Sequence, residues 1–222
     1  QNIPKWFKNL EHSTNNFTVK GCMPFLDSLT AGYILKLPQD IKVRHNIKNE
    51  FDANIDSVCQ YSLSKASVNM ITAKNINLNL DSDQVHPTKQ LEGSPLVEKN
   101  KNFAVNKIMN PWKITTPPGY SCLFVPPLNN KDDRFEILAG VVDTDVFTNY
   151  INFPFVFNDK HQSLDTIFKR GTPYVQVIPF KRDNCKMSIQ KLKEKTKWDM
   201  ILYPVTLIRN YQSRYWQKKN FK

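Results

Sequence analysis

The sequence predicts a mainly β, antiparallel domain, and the stretch from Phe135 to Arg182 shows why. Three runs in this stretch are rich in β-branched and aromatic residues, and Gly, Pro, Asn or Asp bounds each of them, as is typical of strands. These runs are Phe135–Val142, Tyr150–Phe157 and Tyr174–Phe180. A turn at Arg170-Gly171-Thr172-Pro173 precedes the third run, because Gly tolerates a positive φ and Pro fixes its own φ. No helical period interrupts this order of strand, polar turn and strand.

Composition favours the same fold class. The chain has 222 residues, of which 40% are hydrophobic, so it can bury a core of its own. It contains 14 Pro and only six Gly, a balance that suits a β protein with rigid turns and edge strands. We therefore expect one β domain over residues 21–182, flanked by an N-terminal arm of residues 1–20 and a basic helical C-terminal extension of residues 183–222.

The segments before Phe135 continue the strand pattern. Four apolar residues of the arm have the spacing of one or two helical turns that dock on an apolar surface, and they are Ile3, Trp6, Phe7 and Leu10. Pro38-Gln39-Asp40 is predicted to be a hairpin turn, and Pro117-Pro118-Gly119 a tight turn between strands. The strands predicted upstream are Thr30–Leu37, Ile41–Ile47, Asn75–Leu80, Phe103–Met109, Trp112–Thr115 and Tyr120–Val125.

The positive charge is concentrated in the C-terminal extension. Of the formal net charge of +11, the stretch from Lys181 to Lys222 carries +9, from twelve Lys or Arg against three Asp or Glu. Composition predicts a helix over Met187–Lys197, and Pro204 suits the first turn of a second helix. The second helix would present an apolar stripe of Val205, Leu207, Ile208, Tyr211 and Tyr215.

This basic, aromatic extension has three interpretations. Its aromatic face packs on protein, or its Lys and Arg bind nucleic acid through phosphate contacts and base stacking, or it lies on a membrane surface. We favour packing on protein, with nucleic acid as the second choice of partner and no membrane. The residues expected to make assembly contacts are Trp6, Phe7, Leu207, Tyr211, Tyr215 and Trp216.

Several classes of protein are not indicated. No run approaches the roughly 18 apolar residues that span a bilayer, and the first residues have no apolar core of a signal peptide, so we expect a protein that is not secreted. The four cysteines, Cys22, Cys59, Cys122 and Cys185, form no CxxC pair, and we expect reduced thiols. The four histidines have no metal-ligand spacing, and we expect neither a metal nor another cofactor.

Two segments of the central stretch resemble a known family. Gly140-Val141-Val142-Asp143-Thr144-Asp145 resembles the Gly-(Val/Ile)-(Val/Ile)-Asp-x-Asp segment of the trimeric dUTPase and dCTP deaminase superfamily, and residues 170–178 resemble a later strand of those enzymes. Upstream, Ala31-Gly32-Tyr33 is similar to their Ala-Gly-(Tyr/Phe)-Asp segment. The resemblance implies a β-clip or jelly-roll-like core. A wider pattern, from PFLDSLTAGY to RGTPYVQVIPFKR, also resembles proteins of marine tailed phages.

The resemblance to these enzymes implies roles for four residues. Asp143 would orient the attacking water and the sugar, and Asp145 matches the next acidic position. The Tyr that stacks under the deoxyribose in that family would fall on Val146 or Phe147, and Phe147 could stack without a hydroxyl; Gln176 lies in the second matching strand. The chain departs from the family in its phosphate-binding segment, whose nearest equivalent is residues 126–129, and in Ile34, which stands where a metal-facing Asp is expected. Mg²⁺ would be needed only if the chain were an enzyme of this class.

These patterns lead to two functional expectations. The first is a non-catalytic, phage-type structural or assembly protein of a virion or the host cytoplasm, which forms homo-oligomers or binds virion neighbours through its arms. The second is a diverged nucleotide-binding enzyme, with Asp143 as its best catalytic candidate. Under the first expectation, residues 141–145 are simply a strand that ends in an Asx-type turn. Phosphate chemistry needs several cationic or N–H donors aimed at the phosphates, and one matched aspartate does not supply them.

Overall fold

The computed structural model describes residues 3–38, 40–46, 58–60, 85–86, 91–96, 105–108, 110–158, 163–191, 194, 196 and 210–221. Within these residues the fold is mainly β, with eleven strands and three short α-helices. The helices are α1 Lys5–Asn9, α2 Met23–Thr30 and α3 Asn210–Arg214, and a 3-10 turn spans Val19–Gly21. The strands are β1 Tyr33–Lys36, β2 Ile41–Asn46, β3 Val58–Gln60, β4 Val85–His86, β5 Val105–Ile108, β6 Tyr120–Val125, β7 Phe135–Ile137, β8 Gly140–Val142, β9 Phe153–Phe157, β10 Ser163–Phe168 and β11 Pro173–Lys181.

The strands form three sheets in which every described pairing is antiparallel, as the sequence predicts. One four-stranded sheet has the order β1-β11-β6-β8, and we call it the β11 sheet. A second has the order β4-β5-β9-β7, and a three-stranded sheet has the order β10-β2-β3. The β8 and β1 strands are therefore the two edges of the β11 sheet.

The core is built mostly from aromatic rings that come from all three sheets. Phe124 of β6 meets Phe153 of β9, with ring centroids 5.4 Å apart, and Phe135 of β7 meets Phe168 of β10 at 4.7 Å. Phe153 also meets Tyr174 of β11 edge to face at 5.7 Å. Because aromatic pairs bury large areas and prefer such tilted geometries, these contacts join the three sheets around one core.

Strand β11 is the best-connected strand of the fold. Its nine residues pair with β1 on one side and with β6 on the other. The register with β1 shifts between Leu35 and Lys36, which leaves Tyr174 of β11 as the extra residue of a bulge. Tyr174 and Val175 are both buried members of the core, although consecutive strand residues ordinarily alternate between two faces. The bulge therefore allows β11 to contribute two neighbouring side chains to the core.

Several predicted elements differ from the observed ones. The single strand predicted over Phe135–Val142 is two strands in two sheets, because β7 pairs with β9 whereas β8 pairs with β6. The hairpin predicted at Pro38-Gln39-Asp40 is wrong, since β1 and β2 belong to different sheets. The Asp40 carboxylate accepts the Arg170 N–H at 2.7 Å. The predicted turn before β11 is confirmed, with the Thr172 N–H donating to the Lys169 carbonyl at 3.0 Å.

The flanking segments also differ in part from the prediction. The eight-residue helix α2 was not predicted, and it occupies the residues just before the strand expected from Thr30. Residues 112–115 are not a strand, and residues 183–191 have no regular secondary structure where the helix of Met187–Lys197 was expected to begin; Glu194 and Thr196 are helical. The predicted strand Asn75–Leu80 and the start of the second C-terminal helix lie outside the described residues.

Gly32 links the end of α2 to the β11 sheet at very short range. Its φ is +60°, which favours glycine, and it follows the C-terminal residue Ala31 of the helix. A Cβ placed on Gly32 would lie 1.9 Å from the carbonyl oxygen of Val177 in β11. The position therefore requires glycine for its conformation and also for the close approach of the two backbones.

Replacing Gly32 with Ala is expected to lower the free energy of unfolding by at least about 3 kcal/mol, since left-handed strain and backbone overpacking add. The matched control is Gly171→Ala, whose φ of +88° is similar but whose Cβ would meet no atom within 4 Å. The control should lose only about 1–2 kcal/mol. Urea unfolding of both variants measures the difference, and equal losses would show that the close approach does not constrain the fold.

Val177→Asp is expected to cost about 4 kcal/mol, because the side chain is buried in the core and its charge would have no partner there. Val19→Asp makes the same chemical change in an exposed 3-10 turn and should leave the melting temperature nearly unchanged. Thermal unfolding of the two variants beside the natural chain checks this assignment. A soluble Val177→Asp protein with an unchanged melting temperature would contradict it.

Candidate functional site

The segment that resembles dUTPases ends strand β8 and starts a turn. Gly140–Val142 pairs with β6, and the Asp143 carbonyl then accepts the N–H groups of Val146 at 3.1 Å and Phe147 at 2.9 Å. The strand followed by a turn is therefore confirmed, whereas the Asx type predicted for the turn is wrong. Main-chain atoms close the turn, whereas the Asp143 carboxylate is directed to other partners.

Asp145 makes a two-point ion pair with Arg182, the residue that follows β11. Arg182 Nη1 donates to Asp145 Oδ1 at 2.9 Å and Nη2 donates to Oδ2 at 2.5 Å, and the Gly119 N–H also donates to Oδ2 at 2.8 Å. Hydrogen bonds from Arg182, and then from the Gly119 amide, lower the pKa of Asp145 from 3.8 to about 2. The same pairing raises the pKa of Arg182. With only 5% of its side chain exposed, Asp145 is committed to this contact.

Asp143 belongs to the same cluster but faces solvent more. Its Oδ1 accepts the Ser121 hydroxyl at 2.6 Å and Arg182 Nη1 at 3.3 Å, while 58% of the side chain is exposed. Ser121 is buried, and its Oγ in turn accepts from Arg182 Nη1 at 2.9 Å. We call these four residues, Ser121, Asp143, Asp145 and Arg182, the Arg182 clasp.

The clasp ties together three segments that are distant in sequence. The Arg182 N–H donates to the Gly119 carbonyl at 2.9 Å, so the turn before β6 is held to the end of β11 by main-chain and side-chain bonds. Thr144, which is buried between the two aspartates, shares a hydrogen bond of 2.7 Å with Thr116 Oγ1 and donates to Cys122 Sγ at 3.3 Å. Burial raises the pKa of that thiol. These contacts therefore join the turn before β6, the end of β11 and the turn after β8 at one end of the β11 sheet.

Gln176 is fully buried, and both polar atoms of its side chain make hydrogen bonds. Its amide nitrogen donates to the carbonyls of Ser28 at 2.9 Å and Ala31 at 2.7 Å, and its carbonyl oxygen accepts the Leu128 N–H at 2.8 Å. The last carbonyls of a helix have no partner within the helix, so Gln176 caps the C-terminus of α2. This amide is consequently not available to a nucleotide.

The structure does not gather the four nucleotide-binding candidates in one cavity. Gln176 borders a groove of about 400 Å³, which is also lined by Ile34, Leu128 and Pro173, whereas Asp143, Asp145 and Phe147 do not line it. Arg182 follows β11 and lies six residues beyond Gln176, a separation of about 20 Å along extended chain. Phe147 is partly exposed beside the turn. The candidates therefore divide between two distant places.

The predicted assembly residues of the two arms contact their own chain. Phe7 is buried and stacks on Phe25 of α2 at 6.1 Å, and Trp6 Nε1 donates to Asn130 Oδ1 at 3.0 Å. At the other end of the chain, Trp216 Nε1 donates to the Asp27 carboxylate at 3.0 Å. Both ends therefore dock on or beside α2. Tyr211 and Tyr215 are exposed, and Leu207 lies outside the described residues.

Comparison with known proteins identifies no family. No protein-family model, no curated protein and no solved structure matches the chain. In the described part of the chain, no group of three or more His, Cys, Asp or Glu side chains could hold a metal ion. None of the helices described is both long enough and apolar enough to cross a membrane.

Sequence reasoning located Asp143 and Asp145 but missed their partners. Arg182 is 37 residues beyond Asp145, and no spacing rule joins an arginine at a strand end to an aspartate so far away. Ser121 gave no signal either, because a serine at the start of a strand is common. Only an indirect signal for the Arg182 clasp is present in the sequence. The Gly119 turn, the acidic residues after Val142 and the basic Arg182 all lie at the ends of predicted strands.

Asp145→Asn is expected to lower the melting temperature by several degrees at neutral pH, because it removes the charge that Arg182 pairs with. A pKa depressed to about 2 stabilises the fold fully above the ordinary value of 3.8, and this stabilisation is lost as pH falls toward 2. The difference in melting temperature between the natural chain and the variant should therefore shrink between about pH 4 and pH 2.

The control is Asp183→Asn, which removes an exposed pair with Lys181 and should change little at any pH. A difference between the natural chain and Asp145→Asn that is constant from neutral pH down to pH 2 would contradict the ion-pair explanation.

Proposed function

We propose that this chain is a non-catalytic structural or assembly protein that oligomerises through segments flanking its β domain. The proposal rests on one observation: residues that resemble those of the enzymes already make hydrogen bonds within the fold. Asp145 is bound at both carboxylate oxygens, and the Gln176 amide is consumed by a helix end and a loop. The segments that resemble dUTPases thus serve as scaffold.

Nucleotide hydrolysis would make demands that this arrangement does not meet. Phosphoryl chemistry is catalysed mainly by cations and N–H donors that converge on the phosphates. Arg182, the cation nearest to the two aspartates, already makes a two-point ion pair with Asp145 and contacts Asp143. The Arg182 charge is therefore already paired within the fold, which supports a structural role for the Arg182 clasp.

Two exposed parts of the surface support an assembly role. Residues 183–191 are exposed along their whole length, directly after the clasp, and large apolar side chains are exposed on the turn that follows β8. Exposed apolar groups that cluster commonly mark protein–protein contact sites. Location in a virion or the host cytoplasm, virion neighbours as partners, and the β-clip or jelly-roll arrangement of the core belong to the same proposal and rest on the resemblance described above.

The purified full chain, supplied with dUTP or dCTP and Mg²⁺, is expected to release no pyrophosphate and to deaminate neither nucleotide. Turnover above about 1 s⁻¹, the low end of ordinary enzyme rates, that disappears in Asp143→Asn but persists in Asp183→Asn would overturn the structural role. The exposed Asp183 is the matched control, since both substitutions remove one surface carboxylate that contacts a cation.

A further inference from the structure

We infer that residues 183–191 of one copy pack on the apolar surface beside β8 of a second copy, and that this contact, made twice, forms a two-fold dimer. Residues 183–191 are called the arm segment. Four exposed apolar residues of β8 and of the stretch that follows it, Val141, Val146, Phe147 and Tyr150, are together called the β8 surface. The inference rests on the proposed assembly function and specifies which segment docks, which surface receives it and what the partner is.

The arm segment has the pattern of a strand, but no strand of the described residues pairs with it. Its apolar residues Cys185, Met187 and Ile189 alternate with Lys186, Ser188 and Gln190. Met187 is 89% exposed and Ile189 is 91% exposed. Among the described residues, no main-chain hydrogen bond joins residues 184–191 to another segment. Exposed apolar area costs about 25 cal/mol per Å² in water, so a docking surface would stabilise this segment.

The β8 surface offers both apolar side chains and an open sheet edge. Val141 lies on β8 itself and is exposed, and Val146, at 70% exposed, lies on the turn that follows. β8 is the outermost strand of the β11 sheet, and an edge strand presents main-chain donors and acceptors that can pair with an added strand. At the opposite edge of the sheet, the Phe221 ring contacts Tyr33 of β1, with ring centroids 6.4 Å apart.

The position of the arm segment explains why the partner is a second copy. The segment leaves the fold at Arg182, which is bound to Asp143 and Asp145 of the turn that carries the β8 surface. Its side chains are nevertheless exposed, so they do not cover the β8 surface of their own chain. A two-fold axis close to Arg182 would place each arm segment beside the other copy's β8 surface, and every contact would occur twice, as in an isologous dimer.

Reach, area and charge agree with this arrangement. Nine residues in extended form cover about 30 Å, enough to cross the β8 surface. If each of the six exposed apolar side chains of a copy buries about 100 Å², two copies bury on the order of 1,200 Å², the lower limit for a specific interface. The arm segment carries Lys186 and Lys191, and the Arg182 clasp beside the β8 surface has two aspartates against one arginine, so its net charge is opposite.

The test is the mass of the full chain in solution, measured by light scattering over a range of protein concentration. The natural chain should have twice the monomer mass of 25.9 kDa. Met187→Asp with Ile189→Asp, or Phe147→Asp alone, should raise the dimer dissociation constant by about 100-fold or more, since each puts charge into the apolar contact. Phe17→Asp is the matched control, because Phe17 is an exposed phenylalanine outside both surfaces, and it should leave the dimer intact.

Mixing the two kinds of variant gives a sharper result. The arm-segment variant keeps an intact β8 surface, and the Phe147→Asp variant keeps an intact arm segment, so a mixed pair retains one of the two contacts. The mixture should form heterodimers at concentrations where each variant alone is monomeric. Circular dichroism verifies that every variant is folded, as expected for substitutions of exposed residues.

Three outcomes would overturn the inference: a monomeric natural chain, a trimeric mass, or a dimer whose dissociation constant the arm-segment and Phe147 variants do not change. Nucleotide turnover, assayed on the same samples, would instead overturn the proposed function. The two failures are therefore distinguishable.

Discussion

The rest of the fold depends on how β11 is held in its sheet. The bulge at its start places Tyr174 and Val175 in the core, and Gln176 then binds the end of α2 and the loop at Leu128. At its far end, Arg182 binds the turn before β6 and the turn after β8. Because β1 and β6 pair with the two sides of the same strand, a shift of β11 by one residue would break contacts of all these kinds at once. The register is therefore fixed by polar contacts as well as by apolar packing.

Asp145, in the acidic segment after β8, takes part in this arrangement. Hydrogen bonds from Arg182, and then from the Gly119 amide, lower the pKa of Asp145 to about 2, so this aspartate is ionised throughout the neutral range. Its charge is paired with Arg182, a residue 37 positions further along the chain. The contact therefore links two distant parts of the sequence.

The sequence predicted a mainly β, antiparallel fold and most of the described β strands, because runs rich in β-branched and aromatic residues are typical of strands. It missed β10. It did not predict how the strands distribute among sheets. Phe135–Val142 reads as one strand, yet β7 and β8 pair with different partners, a choice made by contacts with β9 and β6 far along the chain. In the candidate site the resemblance located Asp143 and Asp145, but not their hydrogen-bond partners Arg182 and Ser121, which only the folded chain brings near. The helix α2 was missed because eight residues carry too little periodicity.

Residues near both ends of the chain contact α2, whereas the apolar side chains of the arm segment are exposed. Phe7 stacks on Phe25, and Trp216 and Lys219 bind Asp27, so both ends are held at α2. The arm segment begins directly after Arg182, so the Arg182 clasp holds its first residue to the fold. A segment held at one end in this way loses less freedom on docking than a separate chain would, and binding costs fall when a segment is restricted beforehand. Exposure of Met187 and Ile189 in such a tethered segment favours a contact surface over a frayed end.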